Sequence, residues 1–542
     1  MIGRSKEIQL LNEITADDRS HFVAIYGRRR IGKTFLIRET FSNRFTFQHA
    51  GIYEGTLKEQ LFTFDASLKD AGFAVNTKSK NWMEAFEKLK DLIRISTEQK
   101  KIIFIDELSW MDTPRSDLMK ALENFWNGWA SARKDVVLIV CTSATSWMLS
   151  NIIHNKGGLY NRLTEQIHLQ TFNLSECEEF VREKGIAFTR VQIMQYYMVF
   201  GGVPYYWDFL QKGFGLEQNI DRILFAKNAP LKDEFHYLYA SIYKNPDDHI
   251  KIIHSLAKKR IGLTRDEIIS ESGLNNSGTL TSKLDELESC GFIRKYYAFG
   301  MKTKGAIYQL IDNFTIFYYS FMEDEPTDEN FFSNQINMPT LNTWMGYAFE
   351  RVVLMHINQI KASLGIQGVL TEVNSWHCKA NPDEGIMGSQ IDLLIVRKDQ
   401  VINLCEMKYS NVEFTITDKV DTSIRNKIHD LKQDIIKAKK IPEFICEKEF
   451  TVDFNNKPEY KIHGYIDCII SSKGKDNTLV EIIDYKTGKK ENETDKIKYQ
   501  EFGLGLQLPF YLYLFSNSKE YKNEKVNGLY YEFLDPNKNF RN

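Results

Sequence analysis

No two cysteines in the 542 residues form a C-x-x-C pair; the seven present are scattered. That spacing argues against a disulfide framework or a structural zinc site and suits a reducing compartment. Also missing is any apolar run of membrane-spanning length, and the opening Met1-Ile2-Gly3-Arg4-Ser5-Lys6-Glu7 is charged where a signal peptide would be apolar. A cytoplasmic protein with no membrane partner is therefore expected. Net charge is nearly absent: 70 Lys and Arg against 72 Asp and Glu leave -2. No global basic field draws nucleic acid, so any such contact rests on local patches. The composition is 43% hydrophobic and 26% charged, that of an ordinary globular chain. Its length exceeds what one core can serve and predicts three or four domains.

The strongest local signal is Gly27-Arg28-Arg29-Arg30-Ile31-Gly32-Lys33-Thr34, which meets every position of the nucleotide-binding P-loop pattern. The apolar, β-prone run Phe22–Tyr26 precedes it and a helix-compatible run from Phe35 to Phe41 follows, so strand, turn and helix come in the required order. Gly27 and Gly32 let the backbone curl so that its N–H groups face phosphates at the positive end of the helix. Lys33 is then placed for the β- and γ-phosphates of ATP, and the Thr34 hydroxyl for Mg2+.

Hydrolysis needs a second strand ending in acid. Lys101-Ile102-Ile103-Phe104-Ile105-Asp106-Glu107 supplies one, with Asp106 for magnesium and Glu107 to polarise the attacking water. The next apolar run, Val136 to Cys141, ends in Thr142 and Ser143. Ser143 suits a γ-phosphate sensor and a plain strand end equally well.

Strands and helices alternate to about residue 170, the pattern of a parallel α/β sheet, and helical periodicity then runs to about 245. Gly201-Gly202-Val203-Pro204 reads as a turn between helices. From Asp248 to about Gly300 short helices lead into small strands. Thr264 caps one helix, Thr279–Leu287 forms another, and Phe292–Tyr297 reads as a wing strand. This is a winged-helix order. Ten Lys or Arg against six Asp or Glu between Lys251 and Lys304 give +4, compatible with phosphate contact. Asp285, Glu286 and Glu288 on the third helix suit a spacer or dimerisation role instead.

Further on, Met345-Gly346-Tyr347-Ala348-Phe349-Glu350 lies on a predicted helix, followed by the strand Gln390–Val396 with Asp392 and the strand Val401–Lys408 with Glu406 and Lys408. Residues two apart in a strand share a face, so Glu406 and Lys408 project together and Met407 does not. If the two strands pair, Asp392 joins them, and two acids plus a lysine can bind magnesium beside a phosphodiester. Glu350 could orient a metal-bound water. An E-x-K triplet alone fits a solvated strand face as well; the apolar strand, its partner and the acidic helix favour the nuclease reading.

The chain from Ile2 to about residue 435 resembles the archaeal-type ATPases, in which a P-loop domain precedes a winged helix and a restriction-endonuclease-like PD-(D/E)XK domain. Matching pieces are Ile2-Gly3-Arg4, Tyr26–Thr34, Phe104–Glu107, Gly158-Leu159-Tyr160-Asn161-Arg162, Gly201–Pro204, Ile311-Asp312-Asn313-Phe314, Gly346–Glu350 and Gln390–Lys408. The family is similar to the STAND class of NTPases, whose GxP signature Gly202-Val203-Pro204 fits. That likeness implies nucleotide-dependent self-assembly and makes Arg162 a candidate γ-phosphate or inter-subunit contact.

The last hundred residues resemble instead the C-terminal nuclease of RecB/AddB-type helicase-nucleases. The matches are Ile462–Ile470, Leu479–Gly488 and Gly505–Tyr511. This resemblance implies Asp467 and Asp484 as metal ligands, Lys486 as the catalytic lysine, and Gln507 and Tyr511 as the family's Q-x-x-x-Y pair. The charged stretch Lys489–Gln500 reads as a mobile loop. The first nuclease-like stretch lacks a closing strand and helix after the helix Ser423–Lys440, and the second lacks an upstream helix. Either two partial cores complement each other or the tail has been fused on.

The expected fold is thus a multidomain α/β chain: a P-loop ATPase core (1–170), a helical lid (171–245), a winged helix (246–310), a PD-(D/E)XK-like domain (311–440) and a RecB/AddB-like module (441–542). The expected function is an ATP-binding and ATP-hydrolysing switch coupled to a magnesium-dependent nuclease acting on DNA. The alternative is an ATP-gated DNA- or protein-binding regulator that cuts nothing.

Overall fold

The computed structural model describes residues 1–243, 245–297, 299, 305–336, 338–378, 388–399, 401–410, 414–437, 443–454, 457–473, 478–487 and 525–534. Two compact units form: Met1–Trp376 with Ile391–Thr415, and His377–Gln390 with Ile416–Asn542. Among the described residues no helix is long and apolar enough to cross a membrane.

The first unit begins with a parallel sheet of β1 (His21–Tyr26), β2 (Phe47–Ala50), β3 (Lys101–Asp106), β4 (Val136–Thr142) and β5 (Glu165–His168), in the order β2-β3-β4-β1-β5. Helices cover both faces, which is why the strands are near-continuous apolar runs rather than alternating ones. Phe22, Ala24, Ile103, Ile105, Leu138 and Val140 enter the core on one face. Val23, Ile25, Phe104, Val137, Ile139 and Cys141 enter the core on the other. Because β4 lies between β1 and β3, its polar tip is set between the P-loop and the acidic end of β3.

Five helices follow, from Leu174–Glu183 to Glu234–Ala240. Asn173 and Thr189 open the first two with reciprocal capping boxes to Glu176 and Gln192. The expected turn lies at Gly201–Pro204. Gly201 has φ +62°, and a Cβ on Gly202 would fall 1.8 Å from the Phe172 carbonyl oxygen, so the two segments meet backbone to backbone. Pro204 then occupies the first turn of Pro204–Asp208.

Next come helices Asp247–Ala257, Arg265–Ser272 and Gly278–Ser289 with β6 (Leu263–Thr264), β7 (Ile293–Tyr296) and β8 (Ile307–Leu310), an antiparallel sheet in the order β6-β8-β7. Thr264 caps its helix as expected, accepting from the Glu267 N–H. The third helix starts earlier than the sequence suggests, because Ser277 caps it. After the helices Asn313–Phe321 and Pro339–Met355 comes a sheet of β9 (Thr371–Cys378), β10 (Ser389–Arg397) and β11 (Ile402–Cys405), in the order β11-β10-β9.

The second unit holds the helix Asp418–Lys437 and a sheet of β12 (Glu443–Phe454), β13 (Lys457–Lys473), β14 (Thr478–Thr487) and β15 (Lys525–Leu534). Strands β12, β13 and β14 form an antiparallel meander; β15 lies parallel to β14. The sequence reading gave this helix to the preceding domain and left the C-terminal module without an upstream helix. In the structure the helix falls in the second compact unit together with the C-terminal sheet. Local periodicity could identify the helix but not its partner.

Candidate active site

The P-loop joins β1 to the helix Lys33–Thr40. Gly27 has φ +139°, and a Cβ there would meet the Leu169 carbonyl oxygen at 2.4 Å; Gly32 has φ +88° and lies at the helix start. Only glycine suits both positions. Lys33 is buried and donates to the carbonyl oxygens of Gly27 and Arg28, each at 2.9 Å. The Thr34 hydroxyl donates to Asp106 Oδ2 at 2.6 Å. A hydroxyl and a carboxylate so placed offer two oxygens to a hard divalent cation, so the residues fit Mg2+.

Glu107 follows Asp106 in a left-handed conformation, φ +47°. Its Oε2 accepts from the Ser143 N–H and hydroxyl, both at 3.0 Å, and from Thr142 Oγ1 at 3.3 Å. Burial raises the Glu107 pKa above the usual carboxylate range despite the nearby Lys33 ammonium. Ser143, weighed from sequence as a phosphate sensor or a plain strand end, here grips the Glu107 carboxylate. Arg162 is exposed on the turn before β5.

The arginines of the loop turn to other partners. Buried Arg28 pairs with Asp312 Oδ1, and its guanidinium stands 4.9 Å from the Phe292 ring centre. Burial works against this cation, yet Asp312 outweighs it and holds the Arg28 pKa above its ordinary value. Asp312 Oδ2 also accepts from the Thr315 N–H (3.0 Å) and hydroxyl (2.6 Å), capping Asn313–Phe321. Arg30 pairs with Glu234 and lies 4.3 Å over the Tyr205 ring. Its carbonyl accepts from the Tyr205 N–H at 3.4 Å, and Tyr206 Oη donates to Glu234 Oε1 at 2.8 Å. At positions 28 and 30 the loop thus has its backbone left for a triphosphate, while Arg29 is half-buried. Arg4 closes the other side, donating to the carbonyls of Ile31 (3.2 Å) and Gln170 (2.8 Å). A cavity of about 750 Å3 lies there, lined by Gly3, Arg4, Arg28, Gln170, Gly202 and Asn313 among others.

Tyr206→Phe removes one buried bond and leaves Glu234 with Arg30. The expected loss is about 1 kcal/mol, read as a lower urea midpoint at unchanged slope.

The acids of the second motif also come together. β10 and β11 pair with Leu393 opposite Cys405, and one step further sets Asp392 opposite Glu406. The sequence reading carried the strand to Lys408, whereas β11 ends at Cys405. Met407 is buried beside Leu393 and Ile395, as strand alternation predicts. Its N–H donates to Asp392 Oδ2 at 3.3 Å. Lys408 Nζ lies 2.8 Å from Glu406 Oε1. Its pKa is raised, first by that bond and further by Asp392 and Glu350. Glu350 is raised by burial, against the pull of Arg260. Arg260 Nη1 bridges both Glu350 oxygens at 3.2 and 3.3 Å. Mg2+ can be held by one or two carboxylates, keeping several waters and taking further oxygens from a phosphate. Among the described residues no three His, Cys, Asp or Glu side chains are grouped to hold a metal ion.

In the C-terminal sheet Cys468 pairs with Ile483, and carrying that antiparallel register one residue on sets position 467 opposite 484, with 486 two residues along β14. These are the positions of Asp467, Asp484 and Lys486. Gln507, Tyr511 and the stretch 489–500 lie outside the described residues.

Asp312, Glu234 and Arg260 carry no role in the sequence reading. Asp312 offered a signal, an acid ending the apolar run Leu310-Ile311; Glu234 and Arg260 offered none, because their partners are remote in sequence.

Comparison with known proteins bears on both halves. Residues 1–208 match the family described as an ATPase domain predominantly from Archaea. Residues 418–541 match the PD-(D/E)XK nuclease superfamily. The uncharacterized protein MJECL04 of Methanocaldococcus jannaschii is 25% identical over 481 residues, covering 86% of this chain and 98% of its own. Among solved structures, the Walker-type ATPase PABY2304 of Pyrococcus abyssi matches at 16% identity and TM-score 0.43, over 58% of this chain and 95% of that one. The Aeropyrum pernix ORC2 protein matches at 13% and TM-score 0.39, over 64% and 94%.

Proposed function

We propose that this chain, an ATPase domain joined to a PD-(D/E)XK nuclease-superfamily domain, is an ATP-dependent switch governing metal-dependent cleavage of DNA. The observation that carries the reading is the wiring of the P-loop. Lys33 is bonded to the carbonyls of two loop residues, one of which, Arg28, is ion-paired to Asp312. A triphosphate that draws Lys33 off those carbonyls reshapes the loop that holds Asp312. Asp312 starts the helix Asn313–Phe321, and the chain then runs into Pro339–Met355, which bears Glu350. Arg30 conveys the same change to the lid through Glu234. The cavity beside Arg4 and Arg28 is the place for the base and sugar of ATP.

Asp106 and Thr34 would hold Mg2+ at the phosphates, and Glu107, once released by Ser143, would orient the attacking water. Asp392 and Glu406 would hold a cation at the first nuclease-like cluster, with Lys408 and Glu350 beside it; Asp467, Asp484 and Lys486 would do so in the C-terminal module, Gln507 and Tyr511 completing it. Bound magnesium supplies charge neutralisation and an activated water. The helices and wing between 247 and 310 serve as a winged helix that guides DNA, and Arg162 as a contact in a nucleotide-dependent oligomer.

The direct test is nicking of supercoiled plasmid by the full chain with Mg2+ or Mn2+, with and without ATP, for wild type, Asp392→Ala and Lys486→Ala. Point variants are preferable to a stop at residue 440, which would cut through the second compact unit. ATP-dependent nicking that falls in either variant supports the reading. Equal nicking in both variants and wild type overturns it. No nicking with any metal favours an ATP-gated binding regulator, a reading supported by the pairing of Glu350 and Glu406 with cations of the chain itself.

A further inference from the structure

We propose that the cavity beyond the C-terminal ends of β3 and β4 binds a small flat organic cation, of the guanidinium or amidinium type, which slows ATP hydrolysis by keeping Glu107 held. The effect on hydrolysis rests on reading Glu107 as the residue that orients the attacking water; the binding does not.

The cavity measures about 800 Å3, a volume typical of small-molecule sites, and shares no lining residue with the one beside Arg4 and Arg28. Its wall carries Tyr53, Trp110, Trp147 and Tyr243. Two stretches of that wall flank the catalytic carboxylate in sequence: Ser109, Trp110 and Asp112 follow Glu107, and Ala144, Ser146 and Trp147 follow Ser143. Both are bonded to the Glu107 environment. The Trp110 N–H donates to the Glu107 carbonyl at 2.9 Å, and Ser109 Oγ lies 2.6 Å from Thr142 Oγ1, which itself donates to Glu107 Oε2. Trp147 Nε1 donates to Asp112 Oδ2 at 3.0 Å and so ties one stretch to the other.

Asp112 selects the ligand. It is a half-buried carboxylate whose one partner among the described residues is that neutral indole. Burial raises its pKa against the indole bond, the mark of a carboxylate short of counter-charge. The other charged groups on the wall have their partners. Glu286 meets His249 Nε2 at 2.7 Å, and Lys283 meets Asp248 at 3.5 Å. Exposed Glu54 adjoins Tyr53, on which the Arg29 charge also acts. An anion entering here is repelled by Asp112, whereas a guanidinium or amidinium fork pairs with a carboxylate and stacks its flat face on aromatic rings. Seated at Asp112 beside Trp147, such a cation adds a second tie between the two stretches. These are the stretches through which Thr142 and Ser143 hold Glu107, so occupancy opposes its release.

The test uses the full chain with benzamidine, and with benzamide as a neutral ligand of the same shape. Titration calorimetry should show benzamidine binding at least about tenfold more tightly than benzamide. Asp112→Asn keeps an oxygen for Trp147 and should weaken benzamidine by about tenfold or more, while its Mg-ATP affinity stays at the parent value. Saturating benzamidine should lower steady-state ATP turnover about fivefold or more. Ser109→Ala, which cuts the link to Thr142, should bind benzamidine as the parent does and be inhibited less. No benzamidine heat at millimolar concentration, or equal affinity in Asp112→Asn, overturns the site. Benzamide bound as tightly as benzamidine overturns the cationic ligand. Binding that depends on Asp112 and leaves turnover unchanged overturns the coupling alone. A chain that binds benzamidine through Asp112 yet hydrolyses no ATP overturns the reading of Glu107 and keeps the cation site.

Discussion

Lys33→Ala is expected to abolish ATP binding and hydrolysis. The Lys33 ammonium is buried at the start of its helix and bonded to two loop carbonyls, bonds that it exchanges for phosphate oxygens when the triphosphate enters. Hydrogen bonds involving a charged group contribute about 1.5–3 kcal/mol each, so losing two gives about 3–6 kcal/mol, roughly a 10²- to 10⁴-fold loss of affinity. Titration calorimetry with Mg-ATP measures it directly. Heat equal to wild type would remove the nucleotide from this loop and the switch with it.

Asp312→Ala is expected to cost about 3–5 kcal/mol of stability in chemical denaturation. Burying one charge after deleting its partner is among the most destabilising single changes. Arg28 is enclosed by Tyr206, Tyr239, Phe292 and the start of Asn313–Phe321, with Asp312 as its counter-ion. The change also strips the bonds to Thr315. Pairing Arg28→Met with Asp312→Asn removes the stranded charge and keeps a capping side chain, so the double variant should recover most of the loss. A single-variant loss below about 1 kcal/mol would mean the pair is not what joins loop to helix.

What the sequence disclosed and what it hid divide along one physical line. The P-loop, the acid-ended β3 and the apolar β4 were legible because each is set by neighbours within about ten residues. So was the antiparallel pairing of β10 with β11, two short apolar strands close together in the sequence. Contacts between remote segments were not legible. Nothing near Arg28 or Arg30 distinguishes them from solvent-facing arginines, and their commitment to Asp312 and Glu234 follows from segments beyond the parallel sheet folding back over the loop. The helix Asp418–Lys437 shows the same limit: its amphipathic pattern declares a helix and leaves open which sheet it serves. Ser143 shows it in a single residue, since a polar strand tip can meet a phosphate or a neighbouring carboxylate, and here it meets Glu107.

The Arg28–Asp312 pair spans 284 positions of the chain. At about 5–20 residues per second, a ribosome needs roughly 15 to 60 s to supply the aspartate after the arginine. Throughout that interval the phosphate cradle exists without its anchor, an arginine awaiting enclosure. The nucleotide loop is thus kept unfinished until the chain beyond β8 has been translated, so synthesis order itself delays its completion.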